Sequence, residues 1–252
     1  MTRKPTVAVI QFPGSNCEYE TARMVSYMGC VPTILRWNDP MGVSSCDGVI
    51  LPGGFSFQDR VRSGVMASHL PIMASVSQAI KQGKPAIGIC NGCQILAESG
   101  LLTDTNDDQV QVGLAKNRGP AGEGIGFVCD WVYVKPINPA LSPLTRYFDA
   151  ADVLPIVTSH AEGRFEWGDG IQSQVSSHAH FVYCDANGVG GPFPVTPNGG
   201  KVAGVLSYQG RVLGIMPHPE RAILGWQFPW ALKHRYSSSP WEKLMVAFKE
   251  LL

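Results

Sequence analysis

Hydrophobic residues fall along this chain in short, dense runs separated by turn-forming residues. Val7–Phe12 is largely apolar without strict alternation, as expected of a strand buried on both faces, and Pro13-Gly14 ends it. Ser15 and Glu18 stand at the spacing of a helix capping box. Ala22, Val25 and Met28 follow at helical spacing, and Gly29 supplies a stop. Val31–Leu35 predicts a second strand and Gly48–Leu51 a third, broken by Pro52-Gly53-Gly54. The pattern then predicts helix between Ser63 and Lys81, interrupted at Pro71. Gly83-Lys84-Pro85 reads as a turn, Ala86–Ile89 as a fourth strand, and Gln94–Ser99 as the start of a helix that stops at Gly100.

This order of strands and helices predicts a largely parallel sheet with helices on both faces. The polar, Gly-rich stretch 103–126 reads as loop. Beyond it the pattern changes to short strands with no long helix between them: Phe127–Val134, Val153–Val157, Phe181–Cys184, Val202–Leu206 and Val212–Ile215. Asn187 to Gly200 reads as a long Gly/Pro loop. At the C-terminus Ser239, Pro240 and Glu242 form a second capping-box pattern. Trp241, Leu244, Met245, Phe248, Leu251 and Leu252 make one helical stripe, expected to pack on the sheet. No repeat or linker divides the chain, so a single domain spanning 1–252 is expected.

Composition sharpens this picture. Of 252 residues 44% are hydrophobic and only 16% charged, which excludes a disordered chain. Twenty Lys+Arg balance twenty Asp+Glu with no basic run, a poor basis for binding nucleic acid. No apolar run reaches the ~18 residues needed to cross a bilayer. Arg3 and Lys4 before Val7–Ile10 imitate a signal peptide, but no small-residue cleavage pattern follows. A cytoplasmic protein without membrane contact is expected. Seven scattered cysteines do not form a disulfide framework and are expected to be reduced. Cys90 and Cys93 have zinc-like spacing without a second pair, and His178, His180 and Cys184 make the other metal-like cluster; no metal site is expected.

The chemistry concentrates at strand ends. Gly88-Ile89-Cys90-Asn91-Gly92 follows a buried strand and precedes a helix, the arrangement of a nucleophile elbow with cysteine in place of serine. Flanking glycines let strand and helix approach around a strained residue. The helix N-terminus favours thiolate, and the Asn91 amide can face a developing oxyanion. His218, in Met216-Pro217-His218-Pro219-Glu220-Arg221, follows another apolar strand and can act as general base and acid, with Glu220 orienting it. Gly53-Gly54 can present backbone N–H groups to an anion. Each motif alone also admits a plain structural reading: a buried cysteine before a turn, a structural histidine, an ordinary Gly-Gly turn.

Together, Gly88–Gly92 with Gln94, Pro52-Gly53-Gly54 and His218-Pro219-Glu220 resemble the class I (triad) glutamine amidotransferases. Phe12–Glu18, Gly53–Phe57, His160–Phe165, Pro197–Gly204 and Met216–Arg221 are similar to the glutaminase components of phosphoribosylformylglycinamidine synthase. The likeness runs from about residue 6 to 224. It implies an α/β, flavodoxin-like fold: an open, mostly parallel sheet flanked by helices, with an additional short-stranded antiparallel part in the second half. It implies Cys90 as nucleophile, completed by His218 and Glu220, an oxyanion between the amides of Gly54 and Asn91 with Gly53 shaping the turn, and Gln94 seating the substrate glutamine. Cys93, one turn into the helix, is not expected to be catalytic. His160, Glu162 and Arg164 are expected to form an active-site wall or a surface toward a synthetase; a hydrogen-bonded structural cluster is the alternative. The family usually has Gly after Phe57 and an aromatic residue after Asp59, where this chain has Gln58 and Arg60. Lys116–Phe127 is Gly-rich where the family has a shorter stretch around an Asn, with Asn117 as candidate counterpart.

The implied reaction is attack of Cys90 on the glutamine side-chain amide, protonation of the leaving ammonia by His218, and hydrolysis of a thioester. Ammonia would pass to a large synthetase subunit that amidates formylglycinamide ribonucleotide with ATP and magnesium, often with a small third subunit. No cofactor is expected in this chain, which has no Walker-type loop. The alternatives are a glutaminase for another amidotransferase, a stand-alone gamma-glutamyl hydrolase, and a non-catalytic assembly or regulatory subunit.

Overall fold

The computed structural model describes residues 3–104, 109–168, 179–194, 196–233, 236 and 238–252. The first four strands are β1 (Thr6–Gln11), β2 (Val31–Arg36), β3 (Gly48–Leu51) and β4 (Ala86–Ile89). Around them lie helices α1 (Glu18–Tyr27), α2 (Val65–Ser68), α3 (Pro71–Lys81) and α4 (Asn91–Glu98). The second half supplies β5 (Val112–Lys116), β6 (Val128–Pro136), β7 (Leu154–His160), β8 (Glu162–Trp167), β9 (Ala179–Cys184), β10 (Val202–Ser207) and β11 (Val212–Ile215). Two helices close the chain, α5 (Trp230–Lys233) and α6 (Glu242–Glu250). No helix among the described residues is long and apolar enough to cross a membrane.

One nine-stranded sheet runs in the order β2-β1-β3-β4-β11-β10-β9-β6-β7. Its first five strands pair in parallel, and β10, β9, β6 and β7 extend it antiparallel. The apolar runs take the central places: Val7–Ile10, Val49–Leu51 and Val212–Leu213 are fully buried, as strands covered on both faces must be. Residue 212 re-enters the sheet far from its sequence neighbours in the first half, yet β11 pairs with β4 in parallel, Gly88 opposite Gly214 and Ile89 opposite Ile215. The carboxyl ends of these two strands therefore lie side by side.

Four local expectations differ from what is observed. The stretch 103–126 is not all loop: β5 pairs antiparallel with β8 as a separate two-stranded sheet. Its pairing partner is 46 or more residues away, so no local periodicity announces it. Ser15 does not cap α1. Its hydroxyl instead accepts from Phe12 N (3.0 Å), closing the turn after β1, and Glu18 accepts from the Gln11 side chain (2.7 Å). Helix α6 starts at Glu242, later than its capping-box pattern predicts; Ser239 Oγ accepts from Trp241 N (3.1 Å), and Glu242 accepts from the Tyr27 hydroxyl rather than closing a box. The α4 start also moves, three residues earlier to Asn91.

The apolar stripe of α6 does pack into the core. Trp241, Leu244 and Phe248 are fully buried. Trp241 packs edge-on against Phe148 and tilted against Phe181, and donates its indole N–H to Pro155 O (2.9 Å). This cluster anchors the C-terminal segment to the antiparallel half of the sheet. Trp241→Ala should destabilise the protein by about 3–5 kcal/mol through the void and the orphaned Pro155 carbonyl, measured by chemical denaturation.

Candidate active site

Strand β4 ends at Ile89, and Cys90 turns the chain into α4 at φ +50° and ψ −106°. A side chain held at positive φ in this way costs about 1–3 kcal/mol, so the surroundings must enforce it. Cys90 N donates to Ile215 O (2.8 Å) and Gln94 N to Cys90 O (3.1 Å), which fixes the turn to both the neighbouring strand and the new helix. Gly88 and Gly92 make the close approach possible. A Cβ on Gly88 would lie 2.6 Å from Gly92 O, and one on Gly92 would collide with Leu51 O.

Beside this turn, β11 delivers His218. Its amide donates to Val157 O (2.8 Å), so the imidazole is placed by β7 as well as by its own strand. Although β7 is the last strand of the sheet, it therefore curls back over the end of β11. Nδ1 of His218 meets Oε1 of Glu220 at 2.5 Å, with both side chains buried. Burial works against a charged imidazole here, but Glu220 and the Cys90 sulfur outweigh it and hold the His218 pKa well above its ordinary value. The Cys90 thiol reaches Ser159 O on β7 (3.5 Å). Gly53 lies at the centre of this group. The point its Cβ would occupy is 2.8 Å from His218 Cε1, 3.1 Å from Cys17 Sγ and 3.5 Å from Cys90 Cβ. A cavity of about 230 Å³ opens beside Cys90 and is lined by Gly54, Asp59, Gln94, His160 and Glu162, among others.

Residues 4–250 match the family described as the CobB/CobQ-like glutamine amidotransferase domain. The phosphoribosylformylglycinamidine synthase subunit PurQ of Methanothrix thermoacetophila is 42% identical over 234 residues, covering 88% of each chain. The subunit of the same name from Methanopyrus kandleri is 36% identical, over 86% of this chain and 88% of its own. Among solved structures, the PurLQS structure from Thermotoga maritima superposes with a TM-score of 0.75 at 29% identity, covering 98% of this chain and 99% of that one. A putative GMP synthase subunit from Thermoplasma acidophilum shares the fold, with a TM-score of 0.59 at 14% identity. The chain belongs to the glutamine amidotransferase family.

In this amidotransferase the other sequence-derived candidates take distinct places. Gly54 lines the cavity, and Asn91 is the first residue of α4, directly after Cys90. The Asn91 side chain ties the loop after β3 to the helix: Oδ1 accepts from Ser56 N (3.1 Å), and Nδ2 donates to Gln94 Oε1 (3.0 Å) and Asp59 (3.3 Å). Gln94 lines the cavity but is itself held, donating to Glu162 O (2.6 Å). Cys93 is fully buried and lies toward Gly214 of β11, away from the cavity lining.

The His160, Glu162 and Arg164 group divides. His160 is buried between Thr158 (2.8 Å) and Asn117 (3.2 Å), and burial followed by the neighbouring His218 lowers its pKa to about 3. It contributes a neutral wall to the cavity. Glu162 also lines the cavity, accepting from Ser63 N (3.3 Å). Arg164 does not line it and instead pairs with Glu166 and reaches Lys116 O. Asn117 braces the whole turn. Its amide donates to His160 O (2.8 Å) and Gly126 O (3.1 Å) and accepts from Gly163 N (3.1 Å). The metal-like cluster of His178, His180 and Cys184 includes a residue outside those described.

Two residues carry more of the site than sequence reasoning credits. Cys17 joins His218 and Glu220, one ligand-type atom from each lying within 4.8 Å of the others. Burial pushes its thiol up to about 11, so it stays protonated beside the imidazole, and Arg221 donates to its sulfur (3.1 Å). Asp59 lines the cavity from a loop in which Phe57, Gln58 and Asp59 all have positive φ. The capping-box reading absorbed the Cys17 segment, and a lone Asp after a Gly-Gly turn carries no local signal.

Gly53→Ala tests how tightly the group is packed. The added methyl must displace His218 or Cys17, and a displacement near 1 Å costs on the order of 10²-fold in rate. Glutamine hydrolysis should fall by about that factor while the thermal melt moves little.

Proposed function

We propose that this chain is the glutaminase subunit of phosphoribosylformylglycinamidine synthase, and that Cys90, His218 and Glu220 are its catalytic residues. The observation that carries this reading is the pairing of two strand ends beside a cavity: Cys90 at positive φ directly after β4, and a Glu220-bound His218 just beyond the end of β11. The relatives named PurQ and the likeness to the PurLQS structure support the subunit role.

In this reading Cys90 passes its proton to His218, and the thiolate attacks the side-chain carbonyl carbon of glutamine. The backbone amides of Gly54 and Asn91 receive the oxyanion. His218, kept charged by Glu220, gives its proton to the departing nitrogen, and ammonia leaves a γ-glutamyl thioester. The neutral imidazole then takes a proton from water, whose oxygen displaces the sulfur and releases glutamate. Gly53 keeps the space between nucleophile and base empty, and Gln94 helps seat the substrate. Ammonia passes to a large synthetase subunit, which holds ATP and magnesium and amidates formylglycinamide ribonucleotide; a small third subunit completes the assembly. This chain itself needs no cofactor for the steps assigned to it. Its site is reached without a membrane or nucleic acid, in the cytoplasm.

A glutamine-derived electrophile such as a diazo-ketone analogue should label Cys90, and Cys90→Ala should abolish glutamine-dependent synthesis while ammonia-dependent synthesis by the assembled complex persists. Labelling of another cysteine, or glutamine use by the variant, refutes the assignment. Glu220→Gln should lower the glutaminase rate on the order of 10⁴-fold, as loss of the orienting acid does in another triad. Reconstitution with the synthetase subunit tests the partnership: glutamine hydrolysis should accelerate when the synthetase and its acceptor nucleotide are present, and a rate as fast for the chain alone points to a stand-alone hydrolase.

A further inference from the structure

The cavity beside Cys90 is chemically lopsided. Its charged lining residues are Asp59 and Glu162, and the remaining histidine, His160, is neutral. Neither carboxylate is ion-paired to a described residue. Arg62 is a nearby cation; its guanidinium hydrogen-bonds both oxygens of Glu98 and attracts Glu162 only through space, without a direct ion pair. Asp59 has Asn91 Nδ2 at 3.3 Å, and Glu162 has Ser63 N at 3.3 Å, both neutral donors. Burial, and then the charge of Glu162, raise the Asp59 pKa to about 6. Two like charges on one small cavity are unfavourable unless a cation completes the group.

The two carboxylates come from separate parts of the chain, the loop after β3 and the start of β8, and both reach the cavity that holds the Cys90 sulfur. At about 230 Å³ the space is smaller than the ~300–1,000 Å³ of sites for drug-sized ligands, which suits a single amino acid. Glutamine brings an α-ammonium at the end opposite its amide. We propose that Asp59 and Glu162 together receive the α-ammonium of the substrate and so select an α-amino acid amide over amides that lack this group. They are specificity-determining residues, and the inference rests on reading the Cys90 cavity as the glutamine site. With the amide carbon held at the sulfur, an ammonium between two carboxylates fixes the other end and sets the depth to which the substrate enters.

The test compares glutamine with 4-carbamoylbutanoate, the same molecule without its amino group, in the reconstituted complex. The native enzyme should prefer glutamine in kcat/KM on the order of 10- to 100-fold, as expected for charge-assisted hydrogen bonds. In the Asp59→Asn/Glu162→Gln double variant that preference should collapse toward unity, through a raised KM for glutamine and a much smaller change for 4-carbamoylbutanoate. Asp59→Glu should restore part of it. An unchanged preference in the double variant, with both substrates impaired alike, overturns the proposal and marks the pair as structural. Equal use of both substrates by the native enzyme overturns it as well. Failure of the native enzyme to hydrolyse glutamine at Cys90 instead refutes the underlying assignment of the cavity.

Discussion

The parallel pairing of β4 with β11 is the constraint on which the rest of the site depends. It places Ile89 opposite Ile215 and lets the Cys90 amide donate to the Ile215 carbonyl. Residues 90 and 218 are far apart in sequence, and nothing local holds them together. A one-residue slip in a strand's register would turn every side chain to the other face and carry the histidine away from the sulfur. The fully buried apolar faces of both strands make such a slip costly.

Onto that pairing the fold adds strain and then contains it. Cys90 sits at positive φ, and three more consecutive non-glycine residues, Phe57 to Asp59, do so in the loop across the cavity. The Asn91 side chain joins these two strained segments, bonding Ser56 N on one side and Gln94 on the other. The antiparallel half supplies the opposing wall, since Val157 holds His218 and Ser159 meets the Cys90 thiol. The Cys90–His218 pairing and the wall that faces it therefore come from different halves of one sheet.

Much of this was legible in the sequence, for physical reasons that differ by element. Strands buried on both faces leave unbroken apolar runs, so β1, β3, β4 and β11 stand out, and the glycines around Cys90 betray a close backbone approach. Strand β5 was not legible in 103–126, nor β8 in 162–167, because each is stabilised by a distant partner rather than by its own pattern. Ser15 and Glu18 show the opposite failure: the capping-box spacing is present, but the turn after β1 and the Gln11 side chain compete successfully for the same groups. Asp59 and Cys17 gain their meaning only from neighbours brought in by the tertiary fold. The His160 segment was readable as a motif, yet only coordinates separate its cavity-lining members from Arg164.

The brace at Asn117 has a consequence for how this region can change over time. One amide spans the Gly-rich loop, the last residue of β7 and the turn into β8, linking positions 117, 126, 160 and 163. The loop also reaches the wall by a second route, since Arg118 N donates to Asn198 O and the Asn198 side chain donates to Gly163 O (2.6 Å). A change in the loop's length or composition is therefore felt at the cavity wall through two asparagines, and the loop's base is as much a part of the site's support as the strands are.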